Sequence, residues 1–324
     1  MQEQSPEINE TLNVEAPANP PPSHTSRQWT AKNWFQASIQ PVLILGTMIL
    51  VAIMAASDWQ HLGLFSAIVI LLPIPLCMFA ERLWAKRQDW MLEPKEMAED
   101  VFWLAAGAFI WVPVYSSYYE TPISEGVKSL RDLAPLQVTL EPTTAVGYLG
   151  CALLVMFVSS FVYYWLHRVQ HESLFWWRMH ATHHHITKMG CMRGDRTHPL
   201  EWATLMFATP IALALLGASD GVMTVVGAFS IWSGTLNHSN LPLKSMPVYD
   251  WVFATAQQHH CHHARLRRQS DSNYGCNMII WDRVFGTYCG DESEGQIGAG
   301  KAVPLSIKDQ FLLAFYPDKK LTNL

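Results

Sequence analysis

Twelve of the fourteen histidines in the 324-residue chain fall between positions 167 and 263, and they are spaced rather than run together. His167 and His171 are four apart, which on a helix of about 3.6 residues per turn puts both imidazoles on one face. His180, His183 and His184 read H-x-x-H-H, and His259, His262 and His263 repeat the pattern. Each triplet fits a helical arc of about 100°. His238 stands alone between them. Neutral imidazole nitrogens bind iron, zinc, copper or nickel, and eight or nine of them exceed what one ion accepts, so the pattern implies two ions. A single histidine is most often a surface or satisfied core residue, but that reading fails for three clusters at helical spacing. By the same spacing His185 and His260 are the odd members of their runs, facing away from the shared arc.

Two other uses of such residues are weighed. A zinc protease needs H-E-x-x-H, and His167-Arg168-Val169-Gln170-His171 has no Glu in second place. A metal-binding transporter or sensor is the alternative class, and transport needs ionisable residues part-way through the membrane.

The elements that carry these residues are read from the apolar runs. Half of the residues are hydrophobic and 15% are charged, which is low for a soluble protein. Runs over 38–57, 62–80, 101–119 and 146–166 contain no Asp, Glu, Lys or Arg and are long enough to cross a bilayer as helices. A further stretch, Trp202 to Leu236, is broken at Gly217-Ala218-Ser219-Asp220-Gly221 and predicts a shorter hairpin. The segments 58–61 and 120–145 hold only Lys128 and Arg131 of the 22 Lys and Arg. The positive-inside rule therefore places them outside, and puts both termini, the 82–100 connection and the histidines on the cytoplasmic side of a bacterial inner membrane or an endoplasmic reticulum. The expected fold is an all-α integral membrane protein: four transmembrane helices, a shorter helical hairpin and a cytoplasmic histidine-rich cap.

Four segments follow: a disordered tail over 1–33, rich in Pro, Glu, Ser and Asn and without signal-peptide features; membrane helices and an external loop over 34–145; the histidine-bearing domain over 146–290; and a C-terminal cytoplasmic segment over 291–324. At net charge −5, with no basic cluster interleaved with aromatics, the chain is not expected to bind nucleic acid. Six cysteines form no C-x-x-C pair and read as reduced packing residues.

H-x-x-x-H, H-x-x-H-H and H-x-x-H-H in this order after a group of spans resemble the histidine boxes of the fatty acid hydroxylase and sterol desaturase superfamily. The likeness extends to Arg196-Thr197-His198-Pro199-Leu200-Glu201, His238-Ser239-Asn240, Asp271-Ser272-Asn273-Tyr274-Gly275 and Trp281-Asp282-Arg283-Val284-Phe285-Gly286-Thr287-Tyr288, and covers about 146–290. It implies a non-haem di-iron monooxygenase using O2 as co-substrate, with two irons held by His167, His171, His180, His183, His184, His238, His259, His262 and His263. It also implies that His198 is a ligand or a supporting residue, and that Glu201, Asp271, Asn273, Tyr274 and Asp282 support the site. Many members of that family have Ser and Asn where His185 and Gly190 stand here. The implied function is hydroxylation of a fatty acyl chain, membrane lipid or sterol, with desaturation or sterol oxidation as neighbouring outcomes. The chain has no Gly-rich dinucleotide fingerprint and no iron–sulfur cysteine spacing, so a separate electron donor, a ferredoxin, rubredoxin or cytochrome, is implied.

Overall fold

Thr30 starts the first helix: its side chain accepts the Asn33 N–H at 3.2 Å, and α1 then runs Ala31–Ala56. In this computed structural model, which describes residues 29–57, 59, 61–135, 138–290, 296–301 and 303–321, three more long helices follow. They are α2, Leu62–Leu83, bent at Leu72 just before Pro73; α3, Pro94–Asp132; and α4, Ala145–Glu172. The tail expected over 1–33 lies, as far as residue 28, outside the described residues. All four helices are long and apolar enough to cross a membrane, and each expected run falls on one of them. Their outward faces suit hydrocarbon rather than water, since Val42, Leu64, Phe79, Phe109 and Val146 are 66%, 67%, 64%, 81% and 79% exposed.

The external loop expected over 120–145 is helical as far as Asp132. Glu120, Glu125 and Lys128 end the apolar run, but the backbone ladder continues through two wide turns, Gly107–Trp111 and Ser116–Glu120, around Pro113 and before Pro122. A wide turn of this kind gives a proline ring room inside a helix without ending it.

A one-residue corner at Ser173 turns α4 into α5, Leu174–His184. The expected hairpin forms from α6, Ala208–Leu215, and α7, Asp220–His238, with Gly217 between them at φ +56°. At eight residues α6 is about 12 Å long, too short to cross a hydrocarbon core. The longer arm is the centre of the bundle. Its buried residues Val222, Val225, Val226, Phe229, Trp232 and Leu236 recur at helical spacing and face α1, α2 and α4. Two short helices complete the part that matters for the site: α8, Ala256–His262, opened by a Thr255–Gln258 capping box, and α9, Ile280–Phe285, closed by Gly286 at φ +75°. No strand occurs among the described residues.

Buried polar groups hold the histidine-bearing segments against this bundle. Gln40 on α1 donates to Asn237 Oδ1 at 2.8 Å and to the Ala254 carbonyl at 3.2 Å, and accepts from Ala256 N, so it joins the end of α7 to the start of α8. Glu81 near the end of α2 accepts the N–H groups of Cys191 and Asn240 at 2.9 and 2.7 Å. Asp100, fully buried in the second turn of α3, accepts from both Arg193 and Arg196, while Glu96 takes Lys188 and a second Arg193 contact. Removing one side of such a buried set would cost about 3–5 kcal/mol, because a desolvated charge is left without its partner.

Candidate metal centre

The helices bring nine of the sequence-selected histidines together in two adjoining groups. His167, His171, His180, His184 and His262 form one; His183, His238, His259 and His263 form the other; within each, one nitrogen per residue lies within 4.8 Å of all the rest. The boxes divide between the groups in a regular way. On a helix, residues i and i+4 are about 40° apart while i+3 lies about 60° to the other side. Accordingly His180 and His184 serve the first group and His183 the second, whereas His259 and His263 serve the second and His262 the first. Neighbouring rings from the two groups touch, with His184 and His263 stacked at 4.5 Å.

Five of the nine rings are oriented from behind through Nδ1. His167 donates to the Tyr274 carbonyl at 2.7 Å, His262 to the Ser272 carbonyl at 2.7 Å and His238 to the Gly234 carbonyl at 2.9 Å. His180 meets Glu201 Oε1 at 2.6 Å and His171 meets Asp271 Oδ1 at 3.3 Å. A carbonyl only accepts, so Nδ1 carries the proton in the first three and their Nε2 atoms present bare lone pairs. His238 Nε2 lies 3.3 Å from His183 Nε2 and 2.9 Å from His259 Nε2, which in turn is 3.1 Å from His263 Nε2. One lone pair cannot accept from two donors, whereas imidazoles bound to one ion at about 2.1 Å have nitrogens about 3.0 to 3.4 Å apart. In the first group the Nε2 atoms of His171, His184 and His262 are buried without a hydrogen-bond partner. The donor set and these orphaned nitrogens fit two cations.

The remaining expected residues have varied positions. Asp282 accepts the N–H groups of Tyr274 and Gly275 at 2.8 Å each and the Thr287 hydroxyl, thereby holding the carbonyl that orients His167. Asn273, at φ +54°, bridges the Gln258 and Cys289 backbones. The Tyr274 ring packs 5.2 Å from His171. His198 lies in neither group: its Nδ1 accepts the Leu200 N–H and its Nε2 donates to the Phe311 carbonyl, so it caps a turn of helix at Pro199–Trp202. His185 is the residue that caps the end of α5, His260 donates to the Ser239 carbonyl and lies edge-on to Trp90, and both stand outside the groups.

A cavity of about 150 Å³ touches both groups, through His167 and His180 on one side and His183, His238 and His259 on the other. Tyr163, Leu205, Ile231 and Thr235 line it, as does Gly194, where an added Cβ would lie 2.9 Å from His238 Nδ1. Asp195 also faces this cavity and makes no hydrogen bond or ion pair through its carboxylate among the described residues. Sequence reasoning passes over it. It belongs to no histidine box, and only the paired Arg193 and Arg196 beside it hint that acidic partners lie near.

Burial first, and then repulsion from neighbouring imidazoles, holds His180, His183, His184, His259, His262 and His263 well below the ordinary imidazole range, so they are neutral at pH 7, the form that binds metal. Burial pushes Glu201 well above the usual carboxylate range. Burial, with Asp100 nearby, pushes Asp195 up to about 6, and burial does the same to Asp282 despite its hydrogen bonds.

Comparison with known proteins agrees with this geometry. The family model described as fatty acid hydroxylase matches residues 152–287. The matched segment, 136 of the 324 residues, resembles a fatty acid hydroxylase domain. It contains all nine clustered histidines together with Glu201, Asp271 and Asp282. The chain is similar to the ornithine lipid hydroxylase of Rhizobium tropici, at 34% identity over 40% of this chain and 39% of the relative. It is similar to the alkylglycerol monooxygenase of Xenopus tropicalis, at 32% over 40% of this chain and 28% of the relative. A methylsterol monooxygenase of Arabidopsis thaliana is 27% identical over 40% of this chain and 52% of its own length. The matches thus span about a quarter to a half of these relatives. No solved structure matches the chain.

Two expectations follow from the site. Replacing His263 or His184 with Ala removes a group member that no neighbour can replace, and metal content falls. His260→Ala and His185→Ala keep their metal, and Glu201→Gln weakens metal affinity by about 10–100-fold. Elemental analysis of the five variants at equal expression checks this, and metal retained in His263→Ala but lost in His260→Ala would contradict the division. The second concerns pH. The six imidazoles are depressed in the folded state, so their stabilisation is complete above about pH 6.5 and is lost as pH falls. The raised Glu201, Asp195 and Asp282 act in the opposite direction, but they are fewer. Metal-free protein in detergent is therefore expected to unfold at a lower temperature at about pH 5.5 than at about pH 7.5. An unchanged or rising unfolding temperature would refute that balance.

Proposed function

We propose that this protein is a membrane-bound, O2-dependent lipid hydroxylase in which the nine clustered histidines hold two irons. The observation that carries the reading is the pair of adjoining all-imidazole groups opening on one cavity within a segment that resembles a fatty acid hydroxylase domain. The chemistry supplied by iron, when bound, is reductive activation of O2 and removal of hydrogen from an unactivated C–H bond. Net, R–H, O2, two electrons and two protons become R–OH and water.

The chain's own residues bind, orient and enclose. The Nδ1 contacts to Tyr274, Ser272, Gly234, Glu201 and Asp271 fix the rings and keep their free nitrogens inward. Because the donors are neutral, Asp195 and Glu201 are the carboxyl groups at the cavity wall, and positive charge held there would draw them back toward the carboxylate form that offsets it. Burial of all nine rings excludes bulk water. The cavity of about 150 Å³ between the two histidine groups receives the reacting stretch of a lipid in this reading, while the rest remains beside the apolar helices. The names of the relatives, an ornithine lipid hydroxylase, an alkylglycerol monooxygenase and a methylsterol monooxygenase, support a lipid substrate. A transporter or sensor has less support, since the histidines gather at helix ends and in short connecting helices instead of along a path through α1–α4.

Electrons come from a separate ferredoxin, rubredoxin or cytochrome in this reading, and the histidines and both termini face the cytoplasm. Lipid extracts of cells with and without the gene are expected to differ by species heavier by one oxygen, formed only under air; identical extracts from expressing cells with iron-loaded protein would sink the proposal. For orientation, a cysteine at Val127 is expected to react with an impermeant maleimide in intact cells. Labelling only after lysis would reverse the topology.

A further inference from the structure

Within the third histidine box, between ligand-bearing positions of both groups, Cys261 is fully buried and its Sγ lies 3.3 Å from Sγ of Cys289. The approach is built into the backbone. Asn273 donates through Nδ2 to the carbonyls of Gln258 and Cys289 at 3.0 and 2.8 Å, and its Oδ1 accepts the Cys289 N–H at 2.9 Å. Gln258 sits one helical turn before Cys261 on α8. One carboxamide therefore clamps the segment after α9 to the helix that carries the box, with the two thiols facing each other. A disulfide has S–S of about 2.05 Å, so closure needs a movement of about 1.3 Å. The remaining cysteines, Cys77, Cys151, Cys191 and Cys276, lie on other elements, and no disulfide occurs among the described residues.

We infer that Cys261 and Cys289 are an oxidisable dithiol, a modification site that joins the third histidine box to the segment following α9 when a peroxide-class oxidant is present. Cys289 is half-buried and Cys261 is not accessible, which sets the order of events. Hydrogen peroxide oxidises the Cys289 thiol to the sulfenic acid and is reduced to water. Cys261 sulfur then displaces the sulfenic hydroxyl, which leaves as a second water, and the S–S bond forms. Two thiols and one peroxide thus give one disulfide and two waters, and a thiol reductant reverses the change. The inference does not depend on which lipid, or whether any lipid, is hydroxylated.

The test uses the full-length, metal-loaded protein in detergent. It is exposed to hydrogen peroxide, then unfolded and alkylated with iodoacetamide, and its peptides are mapped by mass without reduction. The expected result is that Cys261 and Cys289 lose most of their alkylation together and appear as one linked pair, two hydrogens lighter than the separate peptides. Cys77 and Cys151 keep theirs, dithiothreitol restores both sites, and in Cys289→Ser the alkylation of Cys261 survives peroxide. The inference is overturned if Cys289 proceeds to sulfinic or sulfonic acid with Cys261 intact, if either pairs with another cysteine, or if both stay fully alkylated.

Discussion

Nine imidazoles are buried together in two adjoining groups with nitrogens closely facing, and the rest of the structure is arranged around that constraint. The facing Nε2 atoms of His238, His183 and His259 repel one another when bare, and a ring left to rotate would point its lone pair elsewhere. Fixing rings from behind, as five of the nine are fixed, is therefore as necessary as supplying them. That requirement explains why the Tyr274, Ser272 and Gly234 carbonyls and the Glu201 and Asp271 carboxylates sit where they do.

Gathering the rings also fixes the chain path. The single-residue corner at Ser173 folds α5 back so that His180 reaches His167, and α7 must end where His238 meets His259. These ends are tied to the long apolar helices by buried polar groups: Gln40 on α1, Glu81 on α2 and Asp100 on α3. Each accepts or donates more than one buried bond. The apolar bundle thus supplies the burial energy, while these side chains set the register of the segments that bear histidines.

Much of this was legible in the sequence, for physical reasons that differ by element. The membrane helices follow from uninterrupted apolar runs, and the turn between α6 and α7 from Gly217 and its neighbours. Helical spacing singled out His260 and His185, which the fold leaves outside both groups. The division of the boxes was not legible, because an arc of about 100° is compatible with one centre or two until the facing helices are in place. His198 read as a site residue from its family segment, yet both of its nitrogens are committed to backbone partners. The length of α3 was hidden because charged residues end an apolar run without ending a helix. Asp195 was invisible for the converse reason: a lone acidic residue in a polar loop gives no pattern, and only the cavity shows which way it faces.

The central claim is that the histidines form two metal positions, each drawing on more than one box. Anomalous diffraction at the iron edge from crystals of the active protein tests it most directly. The account predicts two iron peaks, one enclosed by His167, His171, His180, His184 and His262 and the other by His183, His238, His259 and His263. A single peak shared by both groups, or iron bound away from them, would contradict it.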